Sequence, residues 1–123
     1  MRAHWIVAAL FAALLTPAIA AAQFDTAAVL GRVTDQSGGL IPGATVTLTN
    51  QATGIQATAV SDANGAYQFL NVRPGTYRIE AELPGFATAV APDVVVTVAS
   101  RLRVDLSMKV GGVGETVEVR GVA

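Results

Sequence analysis

The chain has no cysteine, which removes disulfide frameworks, thiolate zinc sites and thiol nucleophiles at once. Histidine occurs only as His4 and tryptophan only as Trp5, both within the first few residues. A Ser-His-Asp triad needs a histidine in the folded domain, and a histidine metal cluster needs several. Basic residues are scarce too: eight Lys and Arg stand against nine Asp and Glu, for a formal net charge of −1. That balance leaves no footprint for a nucleic-acid surface, and no nucleic-acid partner is expected. No amphipathic helix pattern is visible either.

What is present begins with an export signal. Arg2 supplies a positive start, Ile6 to Leu15 is an unbroken apolar run, and Pro17 leads to Ala18-Ile19-Ala20 or Ala20-Ala21-Ala22 as a cleavage site. Residues 1–22 therefore read as a cleavable signal peptide. The apolar run is well short of the roughly 20 residues that span a bilayer. Cleavage after Ala22 removes His4, Trp5 and Arg2 and leaves about a hundred residues, the size of one domain. The expected location is the periplasmic face of an outer membrane, or the outside of the cell.

From Thr26 onward the apolar pattern has period two, punctuated by Gly, Pro, Asn and Asp every eight to twelve residues. The part after the signal is rich in valine and threonine, whose branched Cβ suits a pleated surface. Strands are predicted near 27–34, 44–50, 55–61 and 76–83, with another carrying Tyr67 and Phe69 on one face. A weaker strand, 86–90, is interrupted before Asp93 by Pro92, which suggests an edge or a strand switch, and 94–98 follows as a further strand. A last strand spans 102–108. Pro42-Gly43 and Asp62-Ala63-Asn64-Gly65 are turn signals, because proline presets one central residue and glycine or asparagine accepts a positive φ at the other. Seven or eight short strands in 23–109 predict an all-β, Ig-like or transthyretin-like sandwich. Gly111-Gly112-Val113-Gly114 then breaks the pattern, so 110–123 reads as a glycine-rich linker and an extended segment.

The turns carry a resemblance. Gly31-Arg32-Val33-Thr34-Asp35, Ile41-Pro42-Gly43-Ala44-Thr45-Val46, Asp62-Ala63-Asn64-Gly65-Ala66-Tyr67-Gln68-Phe69, Pro74-Gly75-Thr76-Tyr77 and Pro84-Gly85-Phe86, in that order, resemble the carboxypeptidase regulatory-like domain. Related sandwiches are called carbohydrate-binding-like. In bacteria such domains often precede TonB-dependent outer-membrane receptors, directly after the signal peptide. The resemblance extends to Glu115-Thr116-Val117-Glu118-Val119-Arg120-Gly121, which is similar to a TonB box. It implies that Glu115, Thr116, Val117, Glu118 and Val119 bind a periplasmic TonB-type protein, or meet a receptor plug or barrel, by adding a strand to a partner's sheet. No plug or barrel lies within these residues, so transport and membrane association would need a longer receptor. The alternative is a free-standing secreted module that binds a carbohydrate or a protein.

Several residue groups invite a chemical reading. Glu80 and Glu82 share one strand face and could flank a sugar, yet alternation with Arg78 fits a solvated face. Asp62, Asn64 and Gly65 hint at a calcium loop, but the EF-hand register and its distant Glu are missing. Tyr67, Phe69, Tyr77 and Phe86 are candidates for a sugar-stacking platform, and their inward phase argues for core packing. Arg101 and Arg103 form a small basic edge of the kind that discourages edge-to-edge pairing. The segment 115–121 is either a tethered thread or one more strand, and the glycines before it favour the tether. No catalytic residue, cofactor or metal site is expected, because no nucleophile with an activating base is available.

Overall fold

The structure is a computed structural model that describes residues 26–111 and 116–119. Residues 1–22, read above as a signal peptide, lie outside the described residues, as do Gly112 to Glu115, Arg120 and Gly121. Nine strands make up the described part: β1 (Ala27–Asp35), β2 (Thr45–Asn50), β3 (Gln56–Val60), β4 (Ala66–Val72), β5 (Gly75–Glu82), β6 (Thr88–Val96), β7 (Arg101–Arg103), β8 (Leu106–Met108) and β9 (Thr116–Glu118). One sheet has the order β4-β1-β7, with β8 also paired to β1, and the other has the order β3-β2-β5-β6-β9.

Period-two burial explains why the two sheets face each other. Val29, Val33, Tyr67 and Phe69 point inward from β1 and β4, and Val46, Leu48, Ile79 and Ala81 point inward from β2 and β5. Thr45, Glu82 and Gln68, from the alternate positions, are exposed. Leu106, Met108, Val94 and Val96 complete one contiguous core. Each fully buried aliphatic side chain of this kind contributes about 1.5–3 kcal/mol. No helix occurs among the described residues.

Two expectations about strand boundaries are corrected. Pro92 does not divide the chain into separate strands. It sits within β6, where Pro92 and Asp93 together oppose Arg78, because Tyr77 faces Val94 and Ile79 faces Ala91. This is a β-bulge, which lets the ladder pass a residue with no N–H. Asp93 takes φ 57°, and with the Gln51 carboxamide nitrogen turned toward it, that nitrogen donates to Asp93 Oδ1 and the carboxamide oxygen accepts the Asp93 N–H, both at 3.2 Å. The second correction concerns 102–108, which forms two short strands. β7 and β8 both run parallel to β1, at Ala28 to Leu30 and Val33 to Asp35 respectively. Between them the Asp105 carboxylate accepts the Arg32 amide at 2.9 Å, a side chain standing where a ladder carbonyl would be.

Turn chemistry closes the corners. Asp62 Oδ1 accepts the amides of Asn64 and Ala66, and Gly65 takes φ 73° with the Val33 carbonyl occupying the space a Cβ would need. Only glycine fits there. At the β4-β5 corner the Tyr77 hydroxyl donates to the Arg73 carbonyl at 2.7 Å.

Candidate functional site

The C-terminal segment is built against β6. Thr116, Val117 and Glu118 face Thr88, Ala89 and Val90 in a parallel ladder, and the Val119 amide donates to the Val90 carbonyl. The Val119 side chain is half-buried against the core. The thread expected beyond the glycines is thus a docked edge strand. Two properties bring it there: the alternating valines favour extended backbone, and β6 would otherwise present open N–H and C=O groups at the end of the sheet. Phe86 and Val110 form an isolated bridge that leads the chain back toward this edge. Glu115, the first residue of the sequence motif, lies outside the described residues.

The other sequence candidates separate clearly. Tyr67, Phe69 and Tyr77 are 4%, 6% and 7% exposed, and Phe86 packs against the core, so these rings do not form a stacking platform. Tyr67 and Phe69 meet edge to face with centroids 5.9 Å apart. Burial pushes the Tyr67 phenol well above its ordinary pKa, with the Asp105 charge adding to the rise and Arg103 opposing it. Arg78 Nε lies 2.7 Å from Glu80 Oε1 on a partly exposed face, a surface pair worth at most about 1 kcal/mol. Asp62 is occupied by the turn amides described above. Among the described residues no three His, Cys, Asp or Glu side chains converge as a metal site would require.

Two clefts lie outside the expected sites. One, of about 710 Å³, runs along the open side of the sandwich between β3 and β4 and is lined by Ile55, Ala57, Phe69, Leu70 and Tyr77 among others. The second, of about 410 Å³, reaches from the outer face of the β4-β1-β7 sheet to the end of β3 and gathers Arg32, Arg101, Arg103, Gln68, Val60 and Asp62 around Leu30. Arg101 and Arg103 were legible as a pair from their spacing. Arg32 joins them only through the parallel pairing of β1 with β7, for which no local signal exists. Ser61 was missed altogether. It is 4% exposed, accepts the Ala44 amide at 2.9 Å and donates to the Ile41 carbonyl at 2.8 Å.

The two facing sheets and their turns define an Ig-like β-sandwich module. Residues 28–109 match the carboxypeptidase regulatory-like domain, more than half of the chain, and the protein belongs to that family. Modules of this family are non-catalytic. No curated protein matches the sequence. Among solved structures, a Bacteroides uniformis protein named as a candidate carbohydrate-binding protein is similar with 22% identity and a TM-score of 0.56. The match covers 68% of this chain and 41% of that one. A Pseudomonas aeruginosa protein named in the same way shows 20% identity and a TM-score of 0.50, over 69% of this chain and 90% of that one. Catechol 1,2-dioxygenase of Acinetobacter radioresistens shares the fold at 12% identity and a TM-score of 0.55, over 81% of this chain and 57% of the enzyme. At these identities the likeness is one of fold. The present chain spans less than half the length of the Bacteroides protein it resembles.

Proposed function

We propose that the chain is an exported, non-catalytic accessory domain that offers its C-terminal strand to a periplasmic partner, in the manner of the N-terminal domain of a TonB-dependent receptor. The observation that supports this reading is the placement of Thr116 to Val119 as the last strand of a sheet, held by three residue pairs and the Val119 amide. A net backbone hydrogen bond is worth about 1 kcal/mol, so releasing so short a ladder costs only a few kcal/mol. A partner strand that re-forms those bonds offsets that cost, while Val117 and Val119 provide side-chain selectivity. The test is capture of the exported chain by a periplasmic TonB domain. Capture should be lost when 115–121 is deleted, and equal capture of both forms would remove the proposed contact.

A second reading is a free-standing module that binds a glycan or a surface protein. Its support is the cleft over β4-β1-β7 together with the carbohydrate binding that the names of two structural neighbours propose for those proteins. Retention of glycan binding by the 115–121 deletion would separate this reading from the first.

A further inference from the structure

We propose that the outer face of the β4-β1-β7 sheet binds a carboxylate-bearing sugar, held by the guanidinium groups of Arg32 and Arg101 beside the Gln68 carboxamide. It rests on the second reading above, glycan binding at this cleft, and stands independently of whether β9 engages a partner. Register places the donors. Leu30 faces Arg103 on β7 and Gln68 on β4, so these three form one row across the sheet. Arg101 precedes Arg103 by two residues and Arg32 follows Leu30 by two, which keeps all of them on the same face at intervals of about 7 Å. Three guanidinium groups therefore surround a half-buried Leu30, in a cleft of about 410 Å³. That volume lies within the range of small-ligand sites.

The acidic groups nearby are already engaged. Asp105 holds Arg103 Nε at 3.1 Å and accepts the Arg32 amide, and Asp62 is bound to its own turn. Among the described residues neither Arg32 nor Arg101 has an ion-pair partner. A chain with a slight excess of acidic residues thus gathers three guanidinium groups against two carboxylates, Asp105 and Asp62, around this cleft, and Arg32 and Arg101 stay outside any ion pair among the described residues. A planar fork of N–H donors matches a carboxylate, the Gln68 amide matches ring hydroxyls, and Leu30 offers an apolar floor to a sugar's C–H face. A peptide is less well served here. The backbone of β1 is paired on both sides, so no strand can add directly beside Leu30 and Arg32, where side chains alone can recognise the ligand.

The experiment is calorimetric titration of the exported chain with trigalacturonate, with neutral galactotriose and triglutamate as comparisons. Trigalacturonate should bind, with galactotriose and triglutamate each at least tenfold weaker, and its affinity should fall as salt is raised. Arg32→Gln and Arg101→Gln should each weaken binding about tenfold, as expected for loss of a charge-assisted hydrogen bond. Arg73→Gln, at the β4-β5 turn, should leave it unchanged. A second cleft variant, Gln68→Glu, should abolish binding by repulsion while keeping the parent melting temperature. Absence of trigalacturonate binding, equal binding of triglutamate, or a double Arg32→Gln, Arg101→Gln variant that binds like the parent would each overturn the proposal.

Discussion

The hydroxyl of Tyr67 donates to the backbone carbonyl of Val104, which leans over Gly31 at the point where β7 gives way to β8. A Cβ at position 31 would collide with that carbonyl, so the absent side chain and the phenol together define the break between the two strands. Backbone cannot shift as cheaply as a side chain, and Gly31→Ala is expected to cost about 3 kcal/mol or more. Tyr67→Phe leaves the carbonyl without its donor and should cost about 1–2 kcal/mol. For a domain of this size each kcal/mol lowers the melting temperature by roughly 4–8 °C, which thermal unfolding followed by circular dichroism measures.

The same phenol makes stability depend on alkaline pH. Its pKa is raised in the folded state, so its contribution is fully present below the unfolded tyrosine value of about 10. That contribution is lost as pH rises from there through the folded value, because the unfolded chain releases the proton first. Melting temperatures measured across this range should decline in the parent, and the decline should be smaller in Tyr67→Phe. An identical decline in both proteins would contradict the assignment.

Ser61 is the one buried polar residue among those described. Its hydroxyl joins the Ala44 amide to the Ile41 carbonyl and so fixes the entry into β2 against the end of β3. Ser61→Ala strands two buried backbone groups and should cost about 2 kcal/mol by denaturant unfolding. Ser61→Thr, which keeps the hydroxyl, should recover part of that loss.

Asp35 behaves oppositely to Tyr67. The Ser37 hydroxyl, then the Gly39 amide, hold its carboxyl below the ordinary value of 3.8, with desolvation opposing them. A depressed folded pKa contributes stability above the unfolded value that is lost as pH falls through the folded one. NMR titration should place Asp35 below 3.8, and Ser37→Ala should move it upward.

Much of the sandwich was legible because alternation, branched residues and turn chemistry agree along most of the chain. Ala44 to Asn50 and Thr76 to Leu83 show inward and outward phases that the structure reproduces. What escaped was non-local. Pro92 signals a break, and only the neighbouring Asp93 at positive φ, gripped by Gln51, turns that break into a bulge. The run 102–108 alternates without interruption, yet the carbonyl of Val104 and the carboxylate of Asp105 divide it through partners on β1 and β4. Arg32 could not be placed beside Arg101 without knowing that β1 and β7 run parallel. The glycines before Thr116 favour a tether, and the unpaired edge of β6, invisible in the sequence, outweighs them.

Amide hydrogen exchange at Val119, in the isolated chain and with a periplasmic TonB domain added, tests the central claim most directly. A detachable edge strand should protect the amide that reaches Val90, but less than the amide of Ile79 in the interior of the sheet, with the difference changing on addition of the partner. Protection at Val119 equal to that at Ile79, unaltered by the partner, would show a permanent strand with nothing to offer. Absence of any protection would show that the segment does not dock on β6 at all.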